Sequence, residues 1–159
     1  MSVLIRDATP ADAETIAEFN NRMAMETEGR ELDRDVLLAG VNALLGDSTK
    51  GRYWVAVSNG QVVGQIMTTY EWSDWRNGML WWIQSVYVHP EHRRKGVFSS
   101  LYRHVESLAR ASDHVCGIRL YVETNNTNAQ RTYAALGMGK PHYEVMEVDF
   151  SKQLEQSNA

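Results

Sequence analysis

The stretch SVYVHPEHRRKGVFSSLYRHVESLA, residues 85–109, decides the fold because it joins a strand to a helix through a basic turn. β-Branched and aromatic residues run to Val88, and His89-Pro90 then ends the strand. Apolar residues at helical spacing follow, which predicts a helix from about Lys95 to Ala111. The stretch therefore predicts a strand, a compact turn and an amphipathic helix.

The flanking sequence completes a strand–helix–strand unit around this helix. Met79 to Val88 is rich in aromatic and β-branched residues, which predicts a central strand. Gly117 to Val122 has the composition of a second strand after the helix. A crossover of this kind is almost always right-handed and makes the two strands parallel.

The remaining pattern predicts a mixed α/β domain in residues 1–150 and a polar tail in 151–159. Thr9-Pro10 is a helix-start signal, and Asn59-Gly60 between two β-rich runs is a hairpin signal. The further predicted elements are strand Val3–Arg6, a helix from Thr9, helix Asp35–Leu45, hairpin strands Tyr53–Val57 and Val62–Tyr70, helix Asn126–Leu136 and strand Tyr143–Phe150.

Composition excludes several classes of protein. The chain has 159 residues, a net charge of -4 and one cysteine, which fits one core without a disulfide scaffold or a structural zinc site. No apolar run approaches the roughly 20 residues that span a bilayer. An acidic balance disfavours broad nucleic-acid binding. We therefore expect a cytoplasmic protein with no metal, no membrane partner and no nucleic-acid partner.

The basic turn is the sharpest chemical signal. Arg93, Arg94, Lys95 and Gly96 come directly before the predicted helix, whose first N–H groups have no partner within the helix. Three cations beside these donors predict an anion site that suits a pyrophosphate. By charge alone the same residues also fit a solvated turn.

At this point the chain resembles the GCN5-related N-acetyltransferase (GNAT) family. The family motif, Arg or Gln followed by x-x-Gly-x-Gly or Ala, reads Arg93-Arg94-Lys95-Gly96-Val97-Phe98 here, with Phe98 where the family usually has a small residue. A second family pattern, N-x-x-A-x-x-x-Y-x-x-x-G, begins at Asn126 and includes Tyr133.

The resemblance implies a fold and a cofactor. The fold is the GNAT-like acyl-CoA N-acyltransferase fold: a mixed, mostly antiparallel sheet with a splayed parallel pair and about four flanking helices. The cofactor is acetyl-CoA, which the resemblance assigns to the backbone of Val86, Tyr87 and Val88, to the turn and first helical residues Arg93, Arg94, Lys95, Gly96, Val97, Phe98 and Ser99, and to Asn126. Tyr133 would protonate the departing thiolate, which a phenol can do.

The proton acceptor for the amine stays open in the sequence. Many relatives place a carboxylate on the central strand, but residues 81–86 carry none. Glu71 is a candidate, acting through a water held by Gln84 or Ser85, and surface solvation is the alternative for this acid. Glu26 and Glu28 are candidates for attracting a cationic acceptor, and simple solvation is again the alternative.

Four of the five tryptophans cluster between residues 72 and 82. Strand alternation puts Trp81 and Trp82 on opposite faces, so one of them belongs to the core. Trp72, Trp75 and Trp82 are candidates for walling an aromatic or cationic acceptor. A dimer interface would use the exposed tryptophans equally well.

These observations predict an acetyl-CoA-dependent N-acetyltransferase that acts on a primary amine of a small molecule in a ternary complex. The first alternative is acetylation of a protein N-terminus or lysine. An alternative of another class is a non-catalytic acyl-CoA-binding sensor. The resemblance also suggests a homodimer.

Overall fold

The central feature is a five-stranded sheet with the order β1-β2-β3-β4-β5. Its strands are β1 Leu4–Asp7, β2 Arg52–Ser58, β3 Gln61–Ser73, β4 Gly78–Val88 and β5 Val115–Leu120. Neighbouring strands are antiparallel except for β4 and β5, which are parallel. The sheet is therefore mixed and mostly antiparallel, as predicted.

A computed structural model describes residues 2–151, and the chain divides into two units, Met1–Tyr121 and Val122–Ala159. The first unit contains the sheet with the helices α1 Ala13–Glu28, α2 Arg34–Leu45 and α3 Val97–Ala111, and two short 3-10 turns at Pro10–Asp12 and Pro90–His92. The second contains α4 Thr127–Ala135. The prediction of one domain over residues 1–150 stays a prediction.

Local signals account for the element ends. Thr9 and Asp12 form a capping box ahead of α1, and Gly29 ends that helix in the left-handed conformation. Asn59 and Gly60 both have positive φ, as a two-residue hairpin turn requires. The predicted helix and hairpin boundaries thus agree with the structure to within a few residues.

The two faces of the sheet are covered by different helices. One face packs against α1 and α2 through Ile16, Val41, Tyr53 and Val55. The opposite face carries Trp54, whose ring lies 6.3 Å from that of His104 on α3. Residues alternate between the two faces along each strand, so successive side chains pack on opposite sides of the sheet.

Gly64 on β3 allows α3 to lie close to the sheet. A Cβ added at Gly64 would lie 3.1 Å from Val97 Cγ1, 3.3 Å from Leu101 Cδ1 and 3.3 Å from the Tyr87 carbonyl oxygen. These contacts are tight on three sides, so a side chain there would displace the start of α3. The position of the start of α3 therefore depends on the absence of a side chain at Gly64.

Two predictions concern the C-terminal region. Alternation predicts a last strand over residues 143–150, but the structure assigns neither helix nor strand to 143–149, and helical backbone begins at Phe150. A strand needs a paired neighbour, and residues 122–151 contain no other strand for it to pair with. The predicted tail, 151–159, lies outside the described residues except for Ser151.

We expect Gly64→Val to lower the free energy of unfolding by about 1–3 kcal/mol, because overpacking a tight contact forces its neighbours to move. Gly40→Ala is the control, since Gly40 lies inside α2 with nothing within 4 Å of an added Cβ. That change should raise the stability by about 0.5–1 kcal/mol. Chemical denaturation measures both, and an unchanged midpoint for Gly64→Val would contradict the close approach.

Candidate active site

A bulge in β4 sets the geometry of the site. Gln65 pairs with Tyr87 and Met67 pairs with Gln84, so two steps along β3 face three steps along β4. Ser85 lies in the bulge with a φ of 52°. Residues three positions apart on a regular strand have their side chains on opposite faces of the sheet. The extra residue in the bulge instead places Gln84 and Tyr87 on the same, α1-facing side.

β4 also parts from its parallel neighbour at this point. The pairing of β4 with β5 ends at Ile83 and Leu120, which confirms the predicted parallel pair. Within the unit Met1–Tyr121, residues 84–88 have a strand neighbour only on the β3 side. Their other edge presents backbone N–H and C=O groups that an extended ligand can bind like an added strand.

The basic turn forms a concave backbone site at the start of α3. Arg94 has a φ of 61° and Gly96 has a φ of 80°. Left-handed residues in such a turn direct successive N–H groups toward one point, and the first turn of a helix adds donors without intrahelical acceptors. Lys95, Val97, Phe98 and Ser99 belong to this segment. The chemistry of these donors fits a pyrophosphate.

Arg93 differs from the other two cations of the turn. Its Nε donates to the Val88 carbonyl oxygen at 2.9 Å, and its Nη2 lies 2.7 Å from Glu26 Oε2. The guanidinium also lies 5.3 Å from the centre of the Tyr87 ring. Arg93 thus joins the turn to β4 and to the end of α1.

Glu26 is the centre of a small charged cluster. Its Oε1 accepts a hydrogen bond of 2.7 Å from the Tyr87 hydroxyl. Burial alone would raise the pKa of Glu26, but the bonds from Tyr87 and Arg93 outweigh it and lower the pKa. The pKa of Tyr87 is raised by burial and by the Glu26 carboxylate. Glu26 is therefore engaged within the protein, whereas Glu28 is an exposed residue at the end of α1.

A polar and aromatic patch lies on the α1-facing side beyond the bulge. Glu71 Oε1 accepts from Arg119 Nη1 at 2.6 Å and from Trp82 Nε1 at 3.3 Å. The Trp82 ring stacks on Tyr121 with 4.5 Å between centroids. Gln84 Nε2 donates to Thr69 Oγ1 at 2.6 Å on the same face. The structure therefore places the predicted residues Glu71, Gln84 and Trp82 on one face of the sheet and brings Trp82 into contact with Glu71.

The other tryptophans are placed elsewhere. Trp81 is buried against Trp54 and Tyr70, so it is the core member of the adjacent pair. Trp72 is 56% exposed and, by alternation along β3, lies on the face opposite Glu71. Trp75 is 90% exposed in the turn between β3 and β4. An acceptor-binding role for Trp72 and Trp75 stays a prediction.

Buried polar side chains surround the bulge from the α1-facing side. Gln65 Nε2 donates to Asn20 Oδ1 at 2.8 Å and to the Ser85 carbonyl oxygen at 3.1 Å. Asn20 Nδ2 donates to the Tyr53 hydroxyl at 3.1 Å, and the Ser85 side chain lies beside that hydroxyl. Burial raises the pKa of Tyr53. Ser85 is thus held through its carbonyl oxygen.

The second unit carries the other sequence motif. Asn126 caps α4, accepting at its side chain from the Ala129 N–H at 3.1 Å. Tyr133 lies on α4, and burial raises the pKa of its phenol, which keeps the proton on oxygen at neutral pH. Gly137 follows the helix with a φ of 97°, the conformation that favours glycine.

Comparison with known proteins identifies the family. Residues 14–138 match the family model described as the acetyltransferase (GNAT) family. The chain belongs to this family. It is 34% identical over 145 residues to the L-methionine sulfoximine/L-methionine sulfone acetyltransferase of Salmonella typhimurium LT2, covering 84% of this chain and 78% of that one.

Solved structures of GNAT proteins agree. The crystal structure of a possible acetyltransferase from Clostridium difficile 630 is 50% identical, with a TM-score of 0.88 over 94% of this chain and 98% of that chain. The ribosomal-protein-alanine N-acetyltransferase from Brucella melitensis biovar Abortus 2308 is 17% identical, with a TM-score of 0.75 over 94% and 99% of the chains, and shares the fold.

Some residues of the patch around Glu71 and of the network around the bulge were not predicted from the sequence. Arg119 and Tyr121 complete the patch around Glu71, yet both lie within the predicted strand Gly117 to Val122 and belong to neither sequence motif. Asn20 and Gln65 did leave a signal, because each is a polar residue within an otherwise apolar buried face.

Among residues 2–151 no group of three or more His, Cys, Asp or Glu is placed to hold a metal ion. The helices of this part of the chain are also too short or too polar to span a membrane.

We expect the Glu26 carboxyl, followed by carbon NMR, to titrate below the ordinary range for glutamate, and Arg93→Met to raise its pKa. Because the pKa is lower in the folded protein, this ion pair stabilises the fold fully above the unfolded-state pKa. That contribution disappears as the pH falls through the folded-state value. Arg30→Met, which removes a cation just beyond α1, should leave the titration unchanged. An identical Glu26 titration in Arg93→Met would contradict the cluster.

Proposed function

We propose that this GNAT protein transfers an acetyl group from acetyl-CoA directly to the primary amine of a small molecule. The observation that carries the proposal is the conjunction of two backbone features in one unit. The unpaired edge of β4 at residues 84–88 leads through one short turn into the concave N–H site at Arg94 and Gly96. An extended arm that ends in a pyrophosphate fits this arrangement.

The backbone supplies most of the binding groups for such a donor. In this proposal the edge of Val86, Tyr87 and Val88 pairs with the pantetheine arm, and the amides from Arg94 to Ser99 bind the pyrophosphate. Asn126 contacts the pantetheine. Acetyl-CoA supplies the acetyl group as an activated thioester. Arg93 acts indirectly, since its guanidinium is engaged with Glu26 and Val88.

Transfer to an amine needs two proton movements. The attacking nitrogen must be neutral, so a proton leaves the amine as the N–C bond forms, and the thiolate gains one as the C–S bond breaks. We assign the first to Glu71 through a water molecule held near Gln84, because both side chains lie on the α1-facing side of neighbouring strands. Tyr133 supplies the second proton. Ser85 contributes through its backbone, since it is its carbonyl oxygen that the buried Gln65 holds.

The patch around Glu71 supports a small acceptor. Trp82 and Tyr121 present aromatic surface, and the Glu71–Arg119 pair presents both signs of charge within 2.6 Å. This combination suits a compact ligand that carries an amine beside other polar groups. The relative from Salmonella typhimurium, whose substrates are L-methionine sulfoximine and L-methionine sulfone, agrees with an amine of this size.

The deciding experiment measures acetyl-CoA-dependent thiol release with amino acids and their sulfone or sulfoximine analogues, polyamines, aminoglycosides and short peptides, with acetyl-CoA binding followed by calorimetry. We expect turnover with a small amine, and we expect Arg94→Glu to weaken acetyl-CoA binding roughly tenfold or more by placing a negative charge at the anion site. Arg110→Glu, at the far end of α3, is the control and should bind normally.

Other results select the alternatives. Turnover restricted to peptides would favour a protein N-terminal or lysine acetyltransferase. Binding of acetyl-CoA without turnover of any amine would favour the acyl-CoA sensor. Absence of binding in the wild-type protein would refute the cofactor assignment.

We expect Tyr133→Phe to lower kcat by roughly 10- to 1,000-fold with little change in acetyl-CoA affinity, because it removes the proton donor for the thiolate and keeps the ring. Tyr143→Phe, at an exposed tyrosine of the same unit, is the matched control. Steady-state kinetics with the best amine from the panel measures both variants. A normal kcat in Tyr133→Phe would remove this residue from the mechanism.

A further inference from the structure

We infer that Asn20, Tyr53 and Gln65 are positioning residues for acetyl transfer, because together they hold the β4 bulge in its strained conformation. The inference deepens the proposed function and rests on it. None of these residues belongs to either sequence motif. Each instead acts on the transferred group through Ser85 and the edge of β4.

The bulge needs external support. Ser85 has a φ of 52°, and a non-glycine residue in the left-handed region costs about 1–2 kcal/mol relative to ordinary backbone. A regular ladder would avoid this cost, but it would turn Tyr87 away from Glu26 and α1. The surroundings must therefore favour the bulged register over the regular one.

Three separate elements supply that support. Gln65 from β3 donates to the Ser85 carbonyl oxygen at 3.1 Å, and the Tyr53 hydroxyl from β2 lies beside the Ser85 side chain. Asn20 from α1 joins the two, accepting from Gln65 at 2.8 Å and donating to Tyr53 at 3.1 Å. All three side chains are more than nine-tenths buried. The bulge is thus fastened to the core on the α1-facing side.

The stability of the fold does not by itself explain why a buried position is occupied by the polar Gln65. The residue is fully buried, and its Oε1 has no hydrogen-bond partner among the described residues. An unsatisfied buried acceptor costs about 1–3 kcal/mol, and an apolar side chain of similar shape would avoid that cost. The amide is useful at this position because its N–H groups fix the Ser85 carbonyl oxygen and Asn20 at once.

The link to chemistry is the direction of the β4 backbone. The bulge begins the unpaired edge, residues 84–88, whose N–H groups we propose bind the thioester end of the donor. Donors aimed at a developing oxyanion act only when they are held in place beforehand. A loosened bulge should therefore reduce the rate of transfer more than donor binding, since the pyrophosphate turn lies outside this hydrogen-bonded network.

The test compares Gln65→Met with Thr68→Val. Both residues lie on β3, both are fully buried, and both have a side-chain oxygen without a hydrogen-bond partner among the described residues, but Thr68 lies on the opposite, α3-facing side. We expect Gln65→Met to lower kcat about 10- to 100-fold, as a misplacement of about 1 Å does, while the calorimetric affinity for acetyl-CoA changes less than threefold. Thr68→Val should keep kcat within about twofold.

A rescue separates positioning from general destabilisation. Glycine adopts a positive φ without strain, so Ser85→Gly added to Gln65→Met should recover most of the lost kcat. Tyr53→Phe, which removes one oxygen and keeps the ring, provides a second probe if Gln65→Met does not fold. Amide hydrogen exchange in the protein without ligands should be faster at Ser85 and Val86 in Gln65→Met than in the wild type.

Two outcomes overturn the inference separately from the proposed function. An active wild-type protein with an equal kcat in Gln65→Met and Tyr53→Phe would refute the positioning role alone. A lower kcat without rescue by Ser85→Gly, and without faster exchange at Val86, would also refute it. A wild-type protein that acetylates no amine would refute the proposed function itself, and the catalytic part of this inference with it.

Discussion

The structure depends on one irregularity, the extra residue in β4 at Ser85. It lets a single strand present Trp82, Gln84 and Tyr87 on one face, although the last two are three positions apart. It also marks where β4 leaves β5, so the sheet opens at the point where a donor can enter. The turn at Arg93 follows only a few residues later, and its geometry is tied back to β4 through the Val88 carbonyl oxygen.

The two faces of the sheet carry different kinds of side chain. The α3-facing side is filled with apolar rings such as Trp54 and Trp81, which fix the sheet and the helix that carries the anion site. The α1-facing side carries buried amides and a phenol near the bulge and an ion pair farther along the strands. Polar groups in a core reduce stability unless they are hydrogen bonded, so their concentration on one face supports the proposal that this face is the reactive side.

Sequence reasoning succeeded where the cause is local. Thr9-Pro10, Asn59-Gly60 and Gly96 act within a few residues, and the structure confirms the helix starts and the turn that they predict. The bulge was not predictable, because it exists only once β3 and β4 are in register. The pairs Glu26–Arg93 and Glu71–Arg119 join residues 67 and 48 positions apart, so no spacing rule connects them. The alternation of apolar and polar residues over 143–150 likewise does not indicate whether another strand is available to pair with this segment.

The engagement of Arg93 has a consequence for how an anion would respond to ionic strength. Its charge is already opposed by Glu26, so the turn offers a ligand mainly backbone N–H groups, together with Arg94 and Lys95. Salt screens exposed charges over about 8–10 Å, but it has little effect on short, directed hydrogen bonds from a rigid backbone. If the turn binds a phosphate as proposed, we expect that binding to depend more on the backbone conformation of the loop than on its net charge, and to persist at salt concentrations that would release the same ligand from a surface patch of lysines.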